Sequence, residues 1–140
     1  MTLAMSKEER EQFLADLHVG IISIARENMG PVTVPIWYDY EPGGDLWVIT
    51  GSNSIKGKQL AKTDRFSLCA QTEAPPYKYV SVEGPFTTHP TSPDKLLQMS
   101  VRYLGEEMGK AYAAGSESDD SSIIVSMQPE NWLTVDYSKQ

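Results

Sequence analysis

The run Thr50-Gly51-Ser52-Asn53-Ser54-Ile55-Lys56-Gly57-Lys58-Gln59-Leu60 collects the residue types that hold a phosphate. Glycines at 51 and 57 allow close backbone approach. Thr50, Ser52 and Ser54 offer hydroxyls, and Lys56 and Lys58 stand one residue apart at the start of a short helical stretch. Phosphate recognition uses each of these: approachable amides, hydroxyl donors, a fixed cation and free amides at a helix end. The same composition also suits a solvated surface turn, so residue type alone makes this a candidate.

The remaining residues with chemical potential form no second constellation. His18 and His89 lie far apart, His89 before Pro90 in an expected turn, and neither has metal-ligand spacing. Asp119-Asp120 reads as a solvated loop, since a calcium loop needs a longer spaced run of oxygen ligands. No Gly-x-Ser-x-Gly elbow or nucleophile–base pair occurs. The one cysteine, Cys69, sits in the strand-like run 66–70 with no histidine nearby, and reads as a small buried apolar residue. No intrachain disulfide is possible. With no acid–base set in the chain, the chemistry is expected to come from a bound cofactor.

The elements that must position the loop can be read from pattern. Ser6 with Glu9 has capping-box spacing and opens a helix with a stripe of Phe13, Leu14 and Leu17. Strands are expected at Val19–Arg26, Val32–Tyr40, Leu46–Thr50, Phe66–Gln71 and Tyr79–Gly84. Pro35 cannot donate to a ladder, so its strand is an edge, bulged, or faces a ligand. Ser92-Pro93 starts a second helix, with Leu97, Val101, Leu104 and Met108 on one stripe and Gly105 and Gly109 weakening its end. A polar acidic loop is expected at Gly115–Ser122, then closing strands at Ile123–Met127 and Leu133–Tyr137, broken at Pro129. Consecutive hairpins with an inserted helix imply a mainly β fold with flanking α: a closed or nearly closed antiparallel barrel of six to seven strands. Regular βαβ alternation is absent, which argues against a doubly wound sheet.

Composition narrows the function classes. The 140 residues fit one domain, 1–140, with 40% apolar and 22% charged residues. No apolar run reaches the roughly 20 residues needed to cross a bilayer, and Met1–Arg10 is polar and charged, so a cytoplasmic protein is expected. A net charge of −7 and a pI near 4.7, with no basic stripe, argue against nucleic-acid and membrane-surface partners. A small molecule and a second copy of the chain are the expected partners. Trp37, Tyr38 and Tyr40 could form a substrate shelf or simply core. Trp47 reads as core, and Trp132 either covers a groove or wedges the last strand.

Three segments in order, Ser54-Ile55-Lys56-Gly57-Lys58-Gln59-Leu60, Asp64-Arg65-Phe66-Ser67-Leu68 and Tyr79-Val80-Ser81-Val82-Glu83-Gly84, resemble the FMN-binding split-barrel superfamily. That group includes the pyridoxamine 5′-phosphate oxidases and the flavin/deazaflavin, coenzyme F420-dependent oxidoreductases of actinobacteria. The resemblance spans roughly residues 19–90. It implies a homodimer with the cofactor in a groove between protomers. By resemblance, Lys56 contacts the cofactor phosphate, helped by Ser54 and Lys58. Val34, Pro35 and Ile36 lay backbone against the ring system, and Thr50, Gly51 and Ser52 border it. Tyr77 and Tyr79 reach the cofactor or substrate from the other subunit, Tyr79 or Tyr77 being the candidate hydrogen-bond or proton donor.

The sequence departs from the oxidases in two places. Val34 stands where they carry a phosphate-binding arginine, and their C-terminal Arg-Leu-x-Pro is replaced by a chain end reading Trp132-Leu133-Thr134-Val135-Asp136-Tyr137. Pyridoxal phosphate synthesis is therefore disfavoured. The expected activity is F420-dependent hydride transfer to an unsaturated or conjugated small molecule. The alternatives are an FMN-dependent oxidoreductase on the same barrel, or a non-enzymatic cofactor carrier or flavin- or haem-linked sensor; no axial histidine supports haem.

Overall fold

The computed structural model describes residues 2–116 and 121–140. In chain order it has α1 (Lys7–Ala15), β1 (Gly20–Arg26), β2 (Met29–Ile36), β3 (Tyr38–Tyr40), β4 (Leu46–Gly51), α2 (Ile55–Leu60), β5 (Arg65–Gln71) and β6 (Lys78–Pro90). There follow α3 (Pro93–Leu104), α4 (Glu106–Ser116), β7 (Ser122–Met127) and β8 (Asn131–Asp136). Asp119 and Asp120 fall outside the described residues. Among the described residues no helix is long and apolar enough to cross a membrane.

The expected capping box is present. Ser6 N–H donates to Glu9 Oε1 at 2.8 Å, and Glu9 N–H donates to Ser6 Oγ at 3.2 Å. Phe13 and Leu14 are buried, but the stripe stops there: Leu17 lies beyond the helix end and is 58% exposed. The chain's ends clasp over α1. Met5 N–H donates to Thr134 Oγ1 at 2.9 Å, Asp136 N–H to Leu3 O at 2.8 Å, and Lys139 pairs with Glu9 at 2.7 Å.

Every strand pair is antiparallel, and the sheet runs β2-β1-β5-β6-β7-β4-β3, with β8 also on β6. Its two ends are β2 and β3, which the chain joins through Trp37 alone. The strand expected over 32–40 is thus two strands, one at each end of the sheet. Counted as one it gives the expected seven, and its turn at Trp37 draws the sheet into a split barrel. Cross-strand register separates two faces. Val34, Ile22, Leu68, Val82 and Trp132 form a row facing the core. Pro35, Ile21, Cys69, Ser81 and Leu133 form a row on the other face. Tyr38, Ile22, Leu68, Val80 and Val125 are fully buried, each removal of such a side chain from water contributing about 1.5–3 kcal/mol.

β6 is 13 residues long, past the expected end at Gly84, and it belongs to both halves of the sheet. Lys78–Glu83 pairs with β8 and Phe86–Pro90 with β7. His89 and Pro90 are therefore strand residues rather than a turn, opposite Ile124 and Ile123. Where β7 passes to β8, the backbone crosses Gly84 so closely that a Cβ there would lie 1.8 Å from Gln128 O. Only glycine fits.

The second helix also differs from the pattern reading. Gly105, at φ +83°, breaks it into α3 and α4. Met108 therefore leaves the Leu97–Leu104 stripe and is 64% exposed. Gly115 and Ser116, expected in a loop, end α4.

The turn at Trp37 leaves backbone groups outside the ladder, and α3 satisfies them. Tyr103 Oη accepts Tyr38 N–H at 3.0 Å and lies 2.8 Å from Tyr38 O and 2.6 Å from His18 O. Arg102 donates to Tyr38 O at 3.0 Å, and to Ala15 O and Asp16 O at the end of α1 at 3.2 and 3.0 Å. Asp39 balances its charge at 3.4 Å. Trp37 stacks on Tyr103 with ring centroids 4.9 Å apart.

Tyr103→Phe should therefore destabilise the fold by about 1–3 kcal/mol, because Tyr38 N–H loses its acceptor in a partly buried setting. Urea unfolding should show a lower midpoint with an unchanged slope; a wild-type midpoint would remove Tyr103 from this role.

Candidate functional site

The phosphate candidate is a loop tied at both ends. β4 delivers Thr50 and Gly51 opposite Ile123 and Ser122 of β7, and Ser52 N–H continues the contact by donating to Ser121 O at 2.7 Å. Ser54 caps α2: its Oγ accepts Gly57 N–H at 3.1 Å and donates to Gly51 O at 2.7 Å, with Thr50 Oγ1 at 3.3 Å. Gly57 is buried against the same backbone, where a Cβ would meet Gly51 O at 2.2 Å. The helix thus sits directly on the loop. Ser54, read from sequence as a phosphate donor, has its hydroxyl engaged in this shape.

What the loop presents outward is Ser52, exposed, with Lys56 half-buried and Lys58 exposed. Among the described residues neither lysine has an ion pair or hydrogen-bond partner for its ammonium group. This contrasts with Arg65 of the second motif, whose guanidinium pairs with Glu83 at 2.9 Å and Glu130 at 2.7 Å. That pairing holds the Glu83 carboxyl down to about 2, helped by a hydrogen bond from Asn131. Arg65 is a structural cation, although its solvent exposure keeps the pair's stabilisation small.

The other predicted site residues lie on separate elements. Val34, Pro35 and Ile36 belong to β2, which among the described residues pairs only with β1, so the edge is the setting that accommodates Pro35. Val34 and Ile36 face the core and Pro35 faces away. Tyr77 is 51% exposed in the β5–β6 connection, its backbone carbonyl accepting Tyr137 N–H at 3.0 Å. Tyr79 stands on the outer face, between Gln71 and Val135. Among the described residues no hydrogen bond or ring contact joins either tyrosine to the 50–58 loop. Within one chain the fold unites Thr50 to Lys58, and leaves Val34–Ile36 and the tyrosines apart.

The remaining aromatic residues have structural work. Tyr38 and Tyr40 are buried, Tyr38 Oη donating to Leu14 O at 2.7 Å, and Trp37 is stacked on α3, so no shelf forms. Trp47 is core. Trp132 wedges the last strand against the core, with Arg10 over its ring at 4.5 Å. Cys69 is half-buried on the outer face, where burial pushes its thiol up, away from reactivity. His18 stacks on Phe13 with centroids 4.4 Å apart, and burial lowers its imidazole.

One feature went unread in the sequence. A cavity of about 700 Å³ lies at the end of β4, β6 and β7, beside α3 and α4. Thr50 and Gly51 form part of its wall, while Lys56 and Lys58 do not. The signal was the hydroxyl-rich run Thr87-Thr88-His89-Pro90-Thr91-Ser92, which lies beyond all three motifs.

A curled antiparallel sheet closed through Trp37, with an ordered loop at the end of β4, is a split-barrel architecture. The profile of the family described as pyridoxamine 5′-phosphate oxidase matches residues 6–136, and the chain belongs to that family, within the FMN-binding split-barrel superfamily. At the level of the family it is oxidoreductase-like. Among solved structures it is similar to a conserved hypothetical protein from Mycobacterium tuberculosis, with 20% identity over 98% of this chain and 88% of that one and a TM-score of 0.78. It is also similar to an F420 reductase (18% identity, 88% and 94% covered, TM-score 0.73) and an FAD-binding protein from Mesorhizobium loti (18%, 94% and 94%, 0.67). At these identities the likeness establishes the fold. No curated protein matches the chain.

Ser54→Ala should cost about 0.5–2 kcal/mol of stability as a lost N-cap. Ser54→Asp, which restores a capping oxygen, should recover most of it in thermal unfolding. Full stability of the alanine variant would mean that the cap does not hold the loop.

Proposed function

We propose that the protein is a coenzyme F420-dependent oxidoreductase that works as a homodimer on an unsaturated or conjugated small molecule. The observation that carries this reading is the loop at the end of β4. It is pinned by Gly57 against Gly51 and presents Lys56 and Lys58 with no protein partner among the described residues. In a chain of net charge −7, unpartnered lysines above an ordered loop suit an anionic ligand.

A reduced deazaflavin supplies a hydride when bound, and the protein's part is to bind, orient and exclude water. Lys56 and Lys58 would neutralise the phosphate, with Ser52 adding a hydroxyl. Thr50 and Gly51 would border the ring system, and the free edge of β2 at Val34–Ile36 would lie along it. The apolar Val34 favours a monoanionic phosphodiester over the dianionic phosphate of FMN, since no strand cation is added there. The F420 reductase of the same fold supports this choice. The FAD-binding relative makes flavin the second reading.

The outer face of the sheet supports the proposed dimer. Ile21, Pro35, Cys69 and Leu133 stand in one row across it, interrupted by Ser81 between Cys69 and Leu133, which is 63% exposed, with Tyr79 and Val135 beside them. An apolar patch of this kind on a monomer marks an interaction surface. A twofold partner there would bring Tyr77 and Tyr79 toward the other subunit's loop.

Side-by-side titration at one ionic strength should show F420 binding more tightly than FMN. Lys56→Ala should weaken F420 binding roughly tenfold to a hundredfold, as one charge-assisted hydrogen bond worth about 1.5–3 kcal/mol is lost. FMN binding tenfold tighter would move the protein to the flavin reading, and an unchanged affinity in Lys56→Ala would remove the phosphate assignment.

Sedimentation should find a dimer at micromolar concentration, and Leu133→Glu should shift it toward monomer. A wild-type monomer that still binds cofactor would end the two-subunit reading.

A further inference from the structure

The cavity beside the loop differs from it in chemistry. Ile49, Ile123 and Leu96 give it an apolar wall, and Thr88, His89 and Thr91 a polar one. Among the described residues that line it there is no Lys, Arg, Asp or Glu. Its volume of about 700 Å³ lies within the usual range for sites that take small organic molecules, roughly 300–1,000 Å³. The Thr91 hydroxyl is buried without a hydrogen-bond partner among the described residues, a capacity that a ligand or a water would meet. His89, an exposed lining residue, has its Nε2 3.0 Å from Thr87 Oγ1.

We propose that this cavity binds the acceptor substrate, and that the acceptor is an uncharged, partly apolar molecule carrying a polar carbonyl-type group. The inference rests on the reading of the 50–58 loop as the cofactor site, because Thr50 and Gly51 are shared by both. The phosphate end has free cations and the described lining of the cavity has none, so an anion entering there would lose hydration with no charged partner among those residues. The start of α3 at Ser92 and Pro93 brings a weak positive helix end to the wall. Asp94 in its first turn already offsets that field. The hydroxyls and His89 can donate to a carbonyl oxygen, while the aliphatic wall takes a carbon skeleton.

Three probes of one shape and different charge test this: cinnamamide, cinnamate and cinnamylammonium, followed by saturation-transfer NMR at pH 8 on the full chain. Cinnamamide should bind, with each charged analogue at least tenfold weaker. Leu96→Trp, which fills the cavity from α3, should weaken cinnamamide at least tenfold while F420 and FMN titrations stay at wild-type affinity. Thr88→Phe, at an exposed strand position, gives the same test should Leu96→Trp fail to fold. Loss of cofactor binding in Lys56→Ala with cinnamamide binding intact would separate the two sites as proposed. No cinnamamide binding, equal binding of cinnamate or cinnamylammonium, or unaltered cinnamamide binding in both folded cavity variants would overturn the proposal. Absence of F420 and FMN binding in the wild type, with cinnamamide still bound, would overturn the cofactor reading and with it the acceptor role.

Discussion

The barrel depends on how its seam is closed at Tyr38. A sheet whose two ends are consecutive strands must turn the chain sharply between them, and the turn removes backbone groups from the ladder. Buried amides and carbonyls need partners, and here they come from adjacent residues of one helix. Tyr103 takes the Tyr38 N–H, while Arg102 reaches Tyr38 O and the last carbonyls of α1. Three elements distant in sequence meet at that point. The stacking of Trp37 on Tyr103 then sets α3 against the sheet. α3 in turn brings Leu96 to the cavity wall, so the seam and the candidate site share one support.

Much of this was legible from residue type. Ser6 with Glu9 named the helix start, Pro35 limited its strand to an edge, a bulge or a ligand-facing position, and Pro129 marked the break between the last strands. The barrel followed from the succession of hairpins. What could not be read was decided by contacts across the fold. Trp37 sits in a run of β-formers, and nothing local says that the ladder breaks there. β6 extends to Pro90 because β7 returns to pair with it, which the local sequence around His89-Pro90 does not foretell. Met108 kept helical spacing, yet Gly105 adopts a positive φ and turns the following helix away.

The loop was found by composition and its inner logic by geometry. Ser54 and Lys56 look alike as phosphate ligands in the sequence; in the fold one shapes the loop and the other is left free. The cavity escaped notice because its walls come from β4, β6, β7, α3 and α4, with no contiguous motif. On the proposed reading they divide the site into a cationic end and an end with no charged side chain among its described lining residues, meeting at Thr50 and Gly51. A phosphate-bearing ligand and a neutral one would then compete for no common charge.

The clasp between the chain's two ends sets the order in which the structure can assemble. Met5 reaches Thr134 and Leu3 reaches Asp136 across almost the whole sequence, whereas β1 and β2 meet across a two-residue turn. Contacts that close long loops carry more entropy to overcome and form after local ones. The β1–β2 hairpin can therefore fold early, while the α1 contacts with Tyr38 and Arg102 and the clasp to β8 all span long stretches of chain. Pairing of the first residues with the last raises the contact order, which in general slows folding.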